Sequence, residues 1–175
     1  MSNKKVAGAI VAIVMLLFVF VGSYRSFDNL RSDALDAFHG QISPSIGEAM
    51  VHAFNMQTVA ARYLDTSQID SIGIGRIVDN IESAERPQRI YEYYVQLNLA
   101  VWKIYDTLVN VPMSQENQNF INDFHANFLE MDDILRLSGY NNLAREFNTA
   151  LSRTNSLGFL IRPIIGKMQQ FDLTY

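Results

Sequence analysis

The chain has 175 residues, 49% of them hydrophobic and 18% charged, and 14 Lys and Arg against 18 Asp and Glu leave a formal net charge of −4. That suits one globular domain with a short addition, and it lacks the basic stripe expected of a nucleic-acid binder. There is no cysteine, which excludes disulfides, thiolate metal sites, a cysteine nucleophile and a lipid-bearing N-terminal cysteine.

Residues 1–5 form a short basic tail with Lys4 and Lys5. From Val6 through Tyr24, 19 residues pass without a charged side chain. A helix of that length, rising about 1.5 Å per residue, covers close to the hydrocarbon thickness of a bilayer. A cleaved signal peptide competes, with Val21-Gly22-Ser23 as its cleavage site, but the apolar run exceeds the usual signal length. The expectation is therefore an uncleaved anchor over 6–24, with Val6, Ile10, Val14, Leu17 and Val21 facing lipid and Tyr24 at the interface. Lys4 and Lys5 precede the anchor, while Arg25 and Arg31 follow it among Asp28, Asp33 and Asp36. This bias favours a cytoplasmic N-terminus and a domain, residues 25–175, on the outside of a bacterial inner or organelle membrane.

Beyond the anchor the pattern is helical. Phe27, Leu30, Ala34 and Phe38 share one face, so the anchor helix can run straight on. His39-Gly40 and Ser43-Pro44 then interrupt it, and Pro44 suits the first turn of a new helix carrying Ile46, Met50 and Phe54. "DTSQIDSIGIGR" reads as a connecting loop with a short helical turn over 77–81. Its Gly73-Ile74-Gly75 lacks the third glycine and the preceding strand of a dinucleotide loop. Pro87 opens a helix whose stripe is Ile90, Tyr94, Leu97, Val101, Ile104 and Leu108, with a second stripe through Tyr91, Val95, Trp102 and Val109. Tyr91, Tyr93 and Trp102 are of the kind enriched at binding surfaces, although core is the commoner place for them.

Pro112 ends that helix and Ser114 caps the next, with Glu116 placed for its dipole. Phe124, Phe128, Met131, Leu135, Gly139, Leu143, Phe147 and Leu151 follow at steps of three or four. This predicts one helix of roughly 40 residues with Gly139 as a close-packing point; the rival reading ends a helix at Ser138-Gly139. "SLGFLIRPIIGKMQQF" is too short and broken to span a membrane and reads as a last short helix. No strand-like alternation occurs. The fold class expected is all-α: one transmembrane helix, then an antiparallel bundle of about four long helices.

Chemistry is hard to find. Glu48 precedes His52 by four residues, not the three of a di-iron bundle. Asp123 and His125 cannot share a helix face, and Glu130-Met131-Asp132-Asp133 reads as a solvated face. The one Ser-x-x-Lys, Ser2 to Lys5, lies ahead of the anchor, and G-x-S-x-G is missing. The expectation is no catalytic residue, no metal and no cofactor, hence no enzyme. An enzyme with an unrecognised site would instead show a polar pocket with converging carboxylates or His.

An aromatic residue followed by Asn occurs twice, seven residues apart: Tyr140-Asn141 and Phe147-Asn148. Seven residues is nearly two turns, so the aromatics lie above one another, as do the asparagines. The aromatics can insert into a neighbouring helix. The amides either bond a facing backbone and fix register or face water. Together with Glu116, Asn117 and Phe120 and the aromatic close at Phe171, this element resembles the LemA family. The likeness is best over the C-terminal 60 or so residues, as expected for a divergent member. That family's paired arginines have no counterpart beside Pro44, and Asn155 stands near the place of its later proline. The resemblance implies an anchored antiparallel bundle with no known enzymatic activity. It also implies a role in envelope or organelle assembly, since some relatives belong to membrane-organelle biogenesis in magnetotactic bacteria.

The function expected is a scaffold or protein-interaction module, with the bilayer, a protein partner or a second copy as partners, and no nucleic acid. The alternative is an extracytoplasmic ligand-sensing bundle. A complete receptor needs a second membrane helix and a signalling region, and the chain is expected to end at Tyr175 with neither, leaving an accessory sensor.

Overall fold

Helix α1 runs over Ser2–Ala37 in the computed structural model, which describes residues 2–153 and 158–171. Val6, Ile10, Val14, Leu17 and Val21 are 43–58% exposed on it. An apolar side chain left in water forfeits about 1.5–3 kcal/mol relative to burial. α1 is long and apolar enough to cross a membrane, with a mean hydropathy of 2.7 over its most apolar window and none of that window buried.

A five-residue π-helical turn, Phe38–Ile42, joins α1 to α2, Ser43–Ala60. The interruption expected here is a change of hydrogen-bond pattern, not a break. Pro44 has no N–H to give to the Gly40 carbonyl, and its ring would crowd that carbonyl in an α-helix. The chain takes in an extra residue, and the Ser43 N–H donates to Phe38 O, five residues back.

Next come α3, Thr66–Ile72, in place of the expected connecting loop, and α4, Ile74–Glu82, which contains the short helical turn expected over 77–81. The overlooked signal is a capping box: Asp65 accepts the Gln68 N–H at 2.8 Å, and the Gln68 side chain accepts the Asp65 N–H at 3.0 Å. The Ser67 hydroxyl, donating to the Asp65 carboxylate at 2.7 Å, and then the Gln68 N–H hold that carboxyl below its ordinary range. Gly73, at φ 71°, ends α3 in the left-handed region and starts α4. α5, Pro87–Leu108, begins at its proline as expected and buries Tyr94, Leu97, Val101, Ile104 and Leu108. Ser114 caps α6, Gln115–Leu137, by accepting the Asn117 N–H at 3.3 Å.

The single 40-residue helix does not form. Ser138 is extended at φ −60°, ψ 147°, and α7 starts afresh at Gly139, running to Ser152. α8 is short, Gly158–Ile165, and is followed by an irregular segment, 166–171. All regular structure among the described residues is helical.

The chain divides into two compact units. One comprises Met1–Asp36 and Asn142–Met168 and buries Phe27, Ala34, Ala144, Phe147, Leu151 and Ile161. Within it a Cβ on Gly158 would lie 2.8 Å from Ala150 O and 2.9 Å from Leu151 Cα, so the start of α8 tolerates only glycine against the α7 backbone. The other unit comprises Ala37–Asn141 and Gln169–Tyr175. There α2 packs chiefly on α6, and α4 on α5. Ala49, Ala53 and Ala60 are fully buried on α2, and their small side chains let its backbone approach its neighbours closely.

Candidate functional site

The two asparagines turn out to be clamps. Asn148 takes the Met168 N–H on Oδ1 at 2.8 Å and donates from Nδ2 to Met168 O at 2.8 Å. Asn141 takes the Phe171 N–H on Oδ1 at 2.7 Å and donates from Nδ2 to Phe171 O at 3.0 Å. Each amide pairs with both polar groups of one residue, as a backbone peptide does across a strand pair.

Asn141 does a second job. Its Nδ2 lies 2.9 Å from Leu135 O and 3.0 Å from Arg136 O, two of the last carbonyls of α6. The Ser138 hydroxyl also donates to Leu135 O, at 2.8 Å. Beside it the Tyr140 hydroxyl donates to Gln169 O, and burial pushes the phenol up to about 12. Gln41 approaches from the π-helical turn. Its Oε1 accepts the Tyr140 N–H at 3.4 Å and would meet a Cβ on Gly139 at 3.3 Å. Close packing at Gly139 is therefore present, but at a helix start.

The other family-motif residues divide. Glu116 is exposed in the first turn of α6. Asn117 ties that turn to the chain after α2, donating to the Tyr63 hydroxyl at 2.5 Å and accepting from Arg62 Nη1 at 3.0 Å. That bond, first among several, lowers the Tyr63 phenol. Phe120 is 42% exposed and stacks on Phe124, with ring centroids 6.2 Å apart. Tyr140 and Phe147 are both fully buried.

A buried polar row joins α5 to α6, and no sequence motif announced it. Asp132 is buried, which corrects the reading of 130–133 as a solvated face at that residue, while Glu130 and Asp133 are exposed as expected. Asp132 accepts from the Tyr94 hydroxyl at 2.5 Å and from Asn98 Nδ2. Two turns earlier His125 is buried, stacked on Tyr105 at 3.8 Å and edge-on to Trp102 at 4.6 Å, with no hydrogen-bond partner for Nε2. Burial lowers its affinity for a proton, against the nearby charges of Asp106 and Asp132. The recoverable signal was spacing: His125, Phe128, Asp132 and Leu135 occupy one α6 face at steps of three and four.

Two open hollows lie on the second unit. One, of about 430 Å³, is lined by Asn80, Ser83, Arg86, Arg89 and Tyr93 among others. The other, of about 310 Å³, includes Gln57, Asp70, Gly73 and Arg76. Among the described residues no three or more His, Asp and Glu gather as a metal site. The arrangement at Asn141 can grip an extended chain by its backbone and by one aromatic side chain. No family model, no curated protein and no solved structure matches the chain.

Proposed function

We propose that this protein is a single-pass, non-enzymatic membrane protein that holds a helical interaction module at a bacterial envelope or organelle membrane. The observation that carries the reading is the exposed apolar run of α1, none of whose most apolar window is buried; its length and composition suit a bilayer. The bundle reading draws support from the order of side-chain contacts. Tyr105 meets Asn122 and Asn98 meets Asp132, so α5 and α6 pair head to tail. Gln41, just before α2, meets Tyr140, just after α6, and Arg62, just after α2, meets Asn117 in the first turn of α6, which is in keeping with an antiparallel α2 and α6. Exposed apolar residues on the outer face of α2, Val51 and Phe54, suit a protein that works through contacts. A place near the LemA family is in keeping with clamps at the second residue of each aromatic-Asn pair.

The test is extraction followed by cross-linking. The full chain should stay with membranes through an alkaline carbonate wash, leave them in mild detergent, and carry a cross-linked partner or second copy. Release by carbonate overturns the anchor, and an uncross-linked monomer from intact membranes overturns the interaction role. The sensor reading rests on the 430 Å³ hollow with Arg86 and Arg89. It predicts a rise in melting temperature with a small anionic ligand that Arg86→Ala abolishes.

A further inference from the structure

Residues 169–171 sit in the second unit as a bound peptide would. They have no regular structure of their own, and their backbone is read by side chains. Asn141 pairs with the N–H and C=O of Phe171, and the Tyr140 hydroxyl donates to Gln169 O. Gln170 Nε2 reaches Asn141 O at 3.5 Å. The anchor is the Phe171 ring, fully buried against Tyr91 at 5.2 Å, Phe38 at 5.7 Å and Tyr140 at 5.9 Å. Those three rings come from α5, the π-helical turn and α7. Backbone pairing supplies affinity and one aromatic pocket supplies choice, the division of labour found in extended-peptide recognition.

We propose that this pocket is a peptide-recognition site filled in cis, and that its occupant in trans is the Gln169–Phe171 segment of a second copy of this chain. The identical segment brings the identical contacts, so exchange between copies loses nothing at the pocket. Exchange of an identical element is a low-barrier route to a dimer. The inference rests on the anchored reading above, because copies confined to one membrane meet at high effective concentration.

The test uses full-length protein in detergent and an amidated, fluorescein-labelled peptide GKMQQF copied from residues 166–171. Phe171→Ala vacates the pocket. It should bind the peptide saturably, at least tenfold more tightly than wild type, whose own segment competes. Adding Asn141→Ala should weaken that binding at least tenfold, and a peptide ending in Ala should not bind. In parallel, two differently tagged wild-type copies co-expressed in one membrane should purify together, and two Phe171→Ala copies should not. If Phe171→Ala does not fold, Phe171→Leu keeps an apolar anchor, and the peptide should then raise its melting temperature.

Folded Phe171→Ala that ignores the peptide overturns the recognition site, as does binding indifferent to Asn141. Pairing that survives Phe171→Ala overturns the exchange and leaves self-association by another surface. Wild-type copies that never pair overturn the trans occupant. The carbonate wash tests the anchor apart from all of these.

Discussion

Two joints in this chain behave in opposite ways. The first, Phe38–Ile42, is followed by Pro44 and contains Gly40, yet helical hydrogen bonding continues through it. The second, Ser138, interrupts an apolar stripe that never falters, and the helix stops there. At the first, the chain shifts to an i−5 bond, and the Ser45 hydroxyl donates to Gln41 O at 3.0 Å. At the second, Asn141 and Ser138 satisfy carbonyls that α7 would otherwise have capped by continuing α6. Helix breakers therefore decide less than the supply of donors. A helix end is stable where side chains and later backbone groups take up its last carbonyls, and a joint stays helical where its backbone N–H groups still reach carbonyls of the preceding turn.

Asn141→Ala should break that comparison most severely. It takes the amide from both polar groups of Phe171 in a buried place, while Leu135 O keeps the Ser138 hydroxyl. A buried group left unsatisfied costs about 1–3 kcal/mol, so a loss of about 3 kcal/mol is expected in urea unfolding. A change under about 1 kcal/mol would mean water replaces the amide.

Next in size is the alkaline limb at Tyr140. Its folded value of about 12 exceeds the unfolded value near 10. The unfolded state ionises first, so the contribution of the neutral phenol is whole below pH 10 and is lost as pH rises through 12. Tyr140→Phe should flatten that limb relative to wild type, read as melting temperature at pH values between about 9 and 11. It should also remove about 1 kcal/mol at neutral pH with the bond to Gln169 O. A slope unchanged by Tyr140→Phe would assign the limb to another tyrosine. Asn148→Ala, half-buried and away from the joint, should lose about 1–2 kcal/mol by the same reasoning. If it equals Asn141→Ala, capping α6 adds nothing to the clamp.

These contrasts also explain what could be read in advance. Periodicity displayed the α5 stripe, the Ser114 cap and the Pro87 start, because each is written in one local run of residues. The exposed run from Val6 was equally local. The break at Ser138 was written locally only as the rival Ser138-Gly139 reading; what decides for it is Asn141 reaching back to Leu135 while holding Phe171, 30 residues further on. Periodicity sees side-chain faces, not donors arriving from elsewhere. The aromatic-Asn repeat did raise the right question and left two answers open, of which the backbone-bonding one holds. Asp132 was misread because a charged residue was weighed by its type, when its i+4 step from Phe128 already placed it on the buried face. The capping box at Asp65 was legible, and two glycines distracted from it.

The smallest expected effect sharpens the comparison at its other end. Gly40 sits inside the π-helical turn with open space around a would-be Cβ and with no positive φ. Nothing there requires glycine, so its freedom in the unfolded state is simply lost on folding. Gly40→Ala should stabilise the chain by about 0.5–1 kcal/mol, seen as a small rise in melting temperature. Gly139→Ala has the same propensity gain, but its Cβ meets Gln41 Oε1 at 3.3 Å, and Gln41 also accepts the Tyr140 N–H. It should therefore gain less than Gly40→Ala or lose stability outright. If both substitutions stabilise equally, Gln41 yields freely, and the joint at Ser138 is held by Asn141 and Ser138 without help from the π-helical turn.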